Sequence, residues 1–320
     1  MNATKMMRAV TIDKYGGKEV LKAAKVPVPE IGPGEVLIRV EAAAIGVWDV
    51  KLREGLMKDF APLTFPAILG ADGAGFIESV GGTVRGFKAA DKVYGYGFLN
   101  PKGGFFAEYI ALPAEQVALI PKNLPIVEAA ALAVPGLTAL HGVDGALKPQ
   151  SGDALLIFGV GSVGHLAIQL ARRLKLRVIA VASADDATAL AREAGADIAV
   201  NGSTGDLADA IRRFAPDGLS AVLATVNGKG LDTAIASIRQ GGRVAYPNGV
   251  MPVPQGRPGV EVVAYNGEPD RASLDKLNAL IEKGPFKVHI AQTFPLNEVV
   301  AAHEAMEKHY VGRMALRIGS

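Results

Sequence analysis

Cysteine is absent from this sequence of 320 residues. Disulfide bonds and thiol nucleophiles are therefore excluded, and so is every zinc site that relies on thiolate ligands. A chain without cysteine tolerates oxidising and reducing compartments alike. The absence excludes chemistries and does not indicate a location.

An excess of charge of either sign and long apolar runs are also missing. The 34 basic and 32 acidic residues nearly cancel, which argues against nucleic acid or a membrane surface as the main partner. No apolar run reaches the ~18 residues of a membrane span. The N-terminal stretch MNATKMMRAVTIDKYGG has no apolar region of the kind found in signal peptides. We therefore expect a cytoplasmic protein with no nucleic-acid or membrane partner.

The sequence does have enough material for two domains. Its length exceeds that of a chain folded around one hydrophobic core of ordinary size, and 49% of its residues are hydrophobic. Valine- and isoleucine-rich segments, broken by Gly and Pro, fill roughly the first 120 residues and predict a β-rich module. The strands are predicted at 35–45, 75–81, 91–97 and 107–112.

From residue 126 onward the pattern changes. Residues 126–147 predict a helical stretch interrupted at Pro135-Gly136, and after it short apolar strands alternate with amphipathic helices. The first of these strands is predicted at 154–158, with a helix at about 162–174 behind it. Such alternation predicts an α/β fold, with a parallel sheet and crossover helices on both of its faces.

The stretch IFGVGSVGHLAIQLA, residues 157–171, carries the clearest chemical signal. Gly159, Gly161 and Gly164 match G-x-G-x-x-G between a predicted strand and a predicted helix. In such loops the first glycine makes a tight turn, the second lets the backbone approach a pyrophosphate, and the third packs the helix on the strand. The helix N-terminus then holds the phosphates, which predicts a dinucleotide site.

The next strand bears on which dinucleotide is bound. An NAD site places an acidic side chain about 20 residues after the loop, on the ribose 2′-hydroxyl, but this strand ends at Ala182-Ser183. The missing acid favours NADPH. No basic residue stands between Arg177 and Arg192 to pair with a 2′-phosphate, so NADH stays open as the alternative. Ser183 also fits a helix N-cap, with Asp186 completing a capping box.

Taken together, the motifs resemble those of the medium-chain dehydrogenase/reductase superfamily, in its zinc-free, quinone oxidoreductase-like branch. The resemblance runs nearly end to end and rests on PGEVLIRVEAAAIGVWDVKLREG, FPAILGADGAGFIESVG, DKVYGYGFLNPKGGFFAEYIAL, AAALAVPGLTALHGV, GDALLIFGVGSVGHLAIQLAR and AAHEAMEKHYVGRMALRI. It implies a GroES-like β-rich substrate domain from residues 1–125 and 266–320, and a Rossmann domain with a doubly wound parallel sheet from 126–265. It also implies a nicotinamide cleft between the domains and a homodimer.

The same resemblance bears on the metal. Zinc-dependent relatives place a cysteine where Gly46 stands and a histidine where Ala71 stands, and they carry a cysteine-rich lobe near residues 95–105. This chain retains Asp49 and Asp72 there, and carboxylates without an imidazole make a poor zinc site. The histidines form no pair at helical ligand spacing. A zinc-free site is implied, in which the two aspartates orient loops.

Without zinc, the expected chemistry narrows. A simple ketone needs a Lewis acid to stabilise the developing alkoxide, whereas a quinone or an α,β-unsaturated carbonyl spreads the negative charge that hydride addition creates. We therefore expect an NADPH-dependent oxidoreductase acting on small electrophilic molecules of this kind. Two alternatives stay open: an alcohol/aldehyde oxidoreductase of the same superfamily, and a non-catalytic NADP(H)-binding sensor.

Candidate residues can be named for each part of the site. Trp48 is expected to form an apolar wall for a flat ring, and Tyr94 and Tyr96, in the turn after DKV, are candidate donors of a proton or hydrogen bond; packing is the alternative for each. Thr138 is carried over from the resemblance as a neighbour of the nicotinamide. The full predicted cofactor set is Thr138, Gly159, Gly161, Ser162, Val163, Gly164, Ser183, Val226 and Asn248.

Overall fold

The computed structural model describes residues 4–319 and divides them into a terminal unit and a central unit. The terminal unit contains the chain up to Val134, together with Pro269–Asn278 and the residues from Val288 onward. The central unit contains Pro135–Glu268 and Ala279–Lys287. Among the described residues, no helix has the length and apolar character needed to span a membrane.

Strands and helices both recur along the chain. The strands are β1 (Met6–Ile12), β2 (Lys22–Pro27), β3 (Glu35–Ile45), β4 (Ala67–Ile68), β5 (Asp72–Val80), β6 (Lys92–Tyr96), β7 (Tyr109–Pro113), β8 (Val117–Leu119), β9 (Ala154–Phe158), β10 (Arg177–Ala182), β11 (Ile198–Asn201), β12 (Leu219–Ala224), β13 (Ile238–Pro247), β14 (Glu261–Tyr265), β15 (Ile290–Pro295) and β16 (Arg313–Arg317). The helices are α1 (Val47–Arg53), α2 (Ile126–Ala129), α3 (Ala133–Leu140), α4 (Gly164–Arg173), α5 (Asp185–Glu193), α6 (Leu207–Phe214), α7 (Leu231–Ala236), α8 (Arg271–Ile281) and α9 (Val299–Ala305).

The terminal unit is built around one sheet in the order β15-β16-β3-β5-β6-β8, with β7 paired to β3, and a smaller sheet in the order β2-β1-β4. Strand β3 matches the predicted bounds 35–45. Its buried residues Val36, Ile38 and Val40 alternate with more exposed ones, the period-two pattern of a strand with one face on the core.

The pairing of these strands brings several chain segments to one end of the sheet. In the antiparallel ladders, Ala44 of β3 lies opposite Asp72 of β5, and Asp72 lies opposite Tyr96 of β6. Met314 of β16 lies opposite Ile45. The end of β3, the start of β5, the end of β6 and the start of β16 therefore lie at the same end of the sheet.

The central unit has a parallel sheet in the order β11-β10-β9-β12-β13-β14. Counted from β9, this is the order 3-2-1-4-5-6 of the doubly wound dinucleotide-binding sheet. Strand β9 reads ALLIF and is buried at every residue, as expected for a strand covered on both faces. The predicted α/β class with a doubly wound parallel sheet is confirmed.

Local boundaries differ from the sequence expectation at one proline. The helix break predicted at Pro135-Gly136 is wrong, because α3 runs through both residues and continues into a π-helical turn, His141–Ala146. Pro135 is the third residue of α3, in the first turn, where a backbone N–H has no partner within the helix. The break falls earlier, between α2 and α3.

Candidate active site

Asp49 fastens the start of α1 to the turn before β5. Its Oδ2 accepts a hydrogen bond from the Gly46 N–H at 2.7 Å, and its Oδ1 accepts from the Gly70 and Ala71 N–H groups at 3.1 Å each. The residue is 1% exposed. Burial raises the pKa of Asp49, against these N–H donors and the nearby Arg313, which favour the charged form. The carboxylate therefore links the N-cap of α1 to the turn before β5, which is the loop-orienting role expected for it from the sequence.

Asp72 and Arg313 form a buried ion pair beside it. Asp72 Oδ1 accepts from the Val134 N–H at 2.5 Å, and its Oδ2 pairs with Arg313 Nη2. Asp72 is 0% exposed and Arg313 is 6% exposed. Burial raises the pKa of Asp72 to about 6, although the Arg313 guanidinium acts in the opposite direction. Sequence reasoning identifies Asp72 as a polar residue of the site and misses its cationic partner.

Arg313 also lies directly over Gly46. A Cβ at Gly46 would lie 2.6 Å from Arg313 Nη1, closer than real Cβ contacts come. Gly46 has φ −123° and ψ 170°, an extended conformation open to any residue, so the constraint on this position comes from the guanidinium. The place where zinc-dependent relatives put a cysteine is therefore covered by a fixed positive charge.

These residues do not fit a zinc ion. Gly46 and Ala71 offer no donor side chain, and the oxygens of Asp49 and Asp72 are already engaged by N–H groups and by Arg313. A guanidinium next to the carboxylates repels a second cation. Across residues 4–319, no group of three or more metal-ligating side chains is found.

The aromatic candidates occupy distinct environments. Both tyrosines lie in β6, within the strand predicted at 91–97, and their placement in a turn after DKV is wrong. Tyr94 is 0% exposed, its hydroxyl donates to Asn278 Oδ1 at 2.8 Å, and burial raises its pKa well above the ordinary value. Tyr96 is half-buried, with its ring 6.4 Å from that of Phe98. Of the two tyrosines, Tyr96 is the one that reaches the surface of the unit.

Trp48 lies in α1, close to the same phenylalanine. It is half-buried, its ring centroid lies 6.0 Å from that of Phe98, and Lys51 Nζ lies 4.7 Å from the indole. Part of the indole packs on the core of the terminal unit, and part is accessible. Both the packing role and the substrate-wall role are compatible with this position.

A cavity of about 390 Å³ opens within the terminal unit next to these residues. Its lining combines apolar residues such as Ile68 and Phe98 with the charged Lys102, and it also includes Asp49 and Ala71. The volume is that of a small-molecule site. Ala71, which stands in place of a metal ligand, is one of the residues that line this cavity.

In the glycine loop of the central unit, the structure around each position gives a different reason for the presence of glycine. Gly159 has φ +99°, and a Cβ there would meet Thr225 Oγ1 at 2.5 Å. A Cβ at Gly164 would lie 1.9 Å from the Gly159 carbonyl oxygen. Around Gly161, by contrast, no described atom beyond Gly161 and its two chain neighbours lies within 4 Å of where a Cβ would be. The first and third glycines are needed by the protein's own packing, and the second leaves open space.

That open space fits a bound dinucleotide. It lies at the carboxyl end of β9, before the N-terminus of α4, where Ser162 and Val163 complete the loop. Backbone N–H groups without intrahelical partners and the helix dipole favour a phosphate at such a position. The glycine loop would hold the pyrophosphate, and the nicotinamide would supply the hydride chemistry.

The other predicted cofactor residues follow the carboxyl ends of neighbouring strands. Ser183 follows β10, Val226 follows β12 and Asn248 follows β13, each exposed. Val226 Cγ2 lies 2.7 Å from the Cβ position of Gly159, and Asn248 Nδ2 donates to Asn266 Oδ1 at 2.8 Å. Thr138 lies in α3 of the same unit. Carboxyl ends of parallel strands form the ligand edge of a doubly wound sheet.

The helix after Ser183 corrects one expectation. The predicted capping box is wrong, because Ala184 is the N-cap of α5 and no side chain caps this end. The Ser183 carbonyl instead accepts from Ser203 Oγ at 3.1 Å. Asp185 Oδ1 accepts from Asn201 Nδ2 at 2.7 Å, so the nearest carboxylate is tied to the end of β11. Ser183 itself is left exposed and is not engaged as a cap.

Both parts of the chain match known families. Residues 32–122 match the alcohol dehydrogenase GroES-like domain, and residues 162–254 match the zinc-binding dehydrogenase family. The GroES-like assignment of the N-terminal part is thereby confirmed.

Individual relatives match nearly the whole chain. It is 31% identical to an alcohol dehydrogenase of Geobacillus stearothermophilus, over 98% of this chain and 99% of that protein. It is 34% identical to the chloroplastic NADPH-dependent alkenal/one oxidoreductase of Arabidopsis thaliana, over 98% of this chain and 80% of that protein. The structure of the quinone oxidoreductase from Coxiella burnetii matches with a TM-score of 0.83 at 28% identity, covering 98% of this chain and 100% of the other.

Proposed function

The chain belongs to the medium-chain dehydrogenase/reductase superfamily, and from that premise we propose that it is an NADPH-dependent oxidoreductase which transfers hydride to quinones or α,β-unsaturated carbonyl compounds without a metal ion. The observation that carries the proposal is the Arg313–Asp72 ion pair, which lies over Gly46 where zinc-dependent members would need a ligand.

The charge balance of this site argues for conjugated acceptors. A guanidinium already neutralised by a carboxylate is a weak substitute for a divalent cation, so an alkoxide formed from a simple ketone gains little stabilisation. A quinone or an enone spreads the added charge over its own conjugated system and needs one proton to complete the reduction. The site then has to bind and orient the acceptor and to exclude water, and the partly apolar cavity of the terminal unit supports this role.

Trp48 and Tyr96 are our proposed substrate contacts. The accessible part of the Trp48 indole offers a flat apolar surface, and the Tyr96 hydroxyl is a candidate donor to the oxygen of the acceptor. Tyr94 stands two residues before Tyr96 on the same face of β6 and has a buried hydroxyl, so it makes a matched control. We expect Tyr96→Phe to lower kcat by about tenfold or more and Tyr94→Phe to leave kcat unchanged in protein that remains folded.

NADPH is the proposed cofactor. Its support is the absence of an acidic side chain at Ser183 and the engagement of Asp185 by Asn201. The Arabidopsis relative, which its name describes as NADPH-dependent, points the same way. Titration of the purified protein with NADPH and with NADH tests the preference, and tighter binding of NADH would overturn it.

A panel of acceptors tests the activity itself. NADPH oxidation is followed with a quinone, an enal, an enone and a saturated aldehyde, each in the presence and absence of a chelator. We expect turnover of the conjugated acceptors, with no effect of the chelator. Turnover of the aldehyde that depends on added zinc would contradict a metal-free mechanism, and cofactor binding without turnover of any acceptor would indicate a sensor.

One observation favours a second activity within the same superfamily. The relative from Geobacillus stearothermophilus, which covers nearly the whole chain, is named as an alcohol dehydrogenase. NADP⁺ reduction in the presence of primary and secondary alcohols belongs in the same panel for that reason.

We further propose that the protein is a cytoplasmic homodimer, as the superfamily resemblance implies. Sedimentation velocity of the purified chain tests the dimer.

A further inference from the structure

His165 is a buried polar residue that the proposed chemistry does not use. It is the second residue of α4, directly after the last glycine of the loop, and it is 1% exposed. Its Nδ1 lies 2.7 Å from the Gly161 carbonyl oxygen. Because a carbonyl oxygen can only accept, Nδ1 carries the proton and donates it.

The helix does not need this bond in order to form. The Gly161 carbonyl oxygen already accepts the backbone N–H of His165 at 3.2 Å, in the ordinary pattern of a first helical turn. A Leu or a Met would fill a buried helical position equally well, without a polar atom to satisfy. The imidazole therefore adds a second donor to a carbonyl at the middle glycine of the loop.

Holding that carbonyl fixes the direction of the next N–H. In a trans peptide, the C=O of Gly161 and the N–H of Ser162 point in opposite directions. With the carbonyl pulled toward α4 by both donors, the Ser162 N–H points away from the helix. The Cβ position of Gly161 is open, so the peptide plane has space around it and little packing of its own to hold it.

We propose that His165 is a positioning residue for the cofactor, whose Nδ1–H anchors the Gly161 peptide so that the Ser162 N–H is oriented toward the pyrophosphate. This inference rests on the proposed function. A preorganised N–H binds an anion more tightly than one that must first be ordered. A loss of the anchor should therefore appear in cofactor affinity.

Two substitutions at His165 separate the hydrogen bond from the packing. His165→Asn keeps an N–H donor at nearly the position of Nδ1, and His165→Leu keeps the bulk without a donor. Gln169→Leu is the control one turn further along α4. Gln169 Nε2 donates to the Lys287 carbonyl at 2.8 Å and to the backbone carbonyl of His165 at 3.2 Å, so this variant removes hydrogen bonds of α4 and leaves the His165 imidazole and the Gly161 carbonyl unchanged. The readouts are the Kd for NADPH and for NADH by fluorescence titration, and the Tm of each variant without cofactor.

We expect His165→Leu to weaken NADPH binding by about three- to tenfold, the effect of one hydrogen bond, with KM for the cofactor raised more than kcat is lowered. His165→Asn should retain most of the wild-type affinity, and Gln169→Leu should lower Tm without changing Kd. Equal Kd values for His165→Leu and wild type would overturn this inference and leave the proposed function standing. A Kd for His165→Asn as weak as that of His165→Leu would have the same consequence. Wild-type protein that binds neither NADPH nor NADH would overturn the proposed function as well.

Discussion

Arg313 and Asp72 form a buried ion pair across strands β16 and β5, with the guanidinium closed over Gly46. Each member depends on the other, because a single buried charge without its partner is strongly unfavourable. The pair also connects β5 to the start of α3 through the Val134 N–H, which donates to Asp72. The relationship is both an electrostatic feature of the candidate site and a structural element of the terminal unit.

Removal of the cation should expose that dependence. Arg313→Met leaves Asp72 buried without its partner, and we expect the free energy of unfolding to fall by about 3–5 kcal/mol. Arg317→Met, on the same strand at an exposed position, is the matched control and should change stability by about 0.5 kcal/mol or less. Urea unfolding measures both. Similar losses for the two variants would contradict a structural role for the buried pair.

The pKa of Asp72 predicts a dependence of stability on pH. Burial raises it from 3.8 to about 6, so the folded protein binds a proton more readily than the unfolded chain does. Stability from this group is therefore fully present below about pH 4 and decreases as the pH rises toward 6. The total loss, from well below pH 4 to well above pH 6, should be about 3 kcal/mol, and about 2 kcal/mol of it falls between these two pH values.

Asp72→Asn isolates this effect, since an amide does not titrate. The difference in unfolding free energy between wild type and Asp72→Asn, measured at a series of pH values, should shift against the wild type between about pH 4 and about pH 6. A difference that stays flat, or that moves in favour of the wild type as the pH rises, would show that the Arg313 charge outweighs the effect of burial.

Substitutions in the glycine loop should affect the Tm of the protein and its affinity for NADPH differently. Gly161→Ala places a methyl group in open space, so we expect a folded protein of near wild-type Tm whose affinity for NADPH falls by about tenfold or more. Gly164→Ala places a methyl group against the Gly159 carbonyl and should lower Tm. A lower Tm for Gly161→Ala with unchanged NADPH affinity would mean that Gly161 is required for folding and not for cofactor binding.

Much of this architecture is predictable from local patterns. The alternation of Val36, Ile38 and Val40 predicts β3 at its observed bounds, and the glycine spacing after a strand predicts the loop at the ligand edge of the central sheet. Such signals are periodic or local, and they depend on neighbours within a few residues.

The parts that sequence reasoning misses depend on distant partners. Arg313 begins a strand, where a single basic residue has no distinguishing pattern, and its role comes from Asp72, 241 positions earlier. Tyr94 resembles a candidate donor until the packing of Asn278 against its hydroxyl is known. Pro135 resembles a helix break because its tolerance depends on where the helix begins.

Gly46 and Arg313 should show coupled mutational effects. Because the backbone at Gly46 is extended, Gly46→Ala introduces no backbone strain, and its effect comes from the contact of the new methyl with Arg313 Nη1 at 2.6 Å. We expect Gly46→Ala to lower the free energy of unfolding by about 1–3 kcal/mol in the wild-type background. In the Arg313→Met background the guanidinium is gone, and the same substitution should lower stability by about 1 kcal/mol less than it does in wild type. A double-mutant cycle by urea unfolding measures this coupling, and strictly additive effects would mean that Arg313 moves aside without resistance and does not hold the position over Gly46.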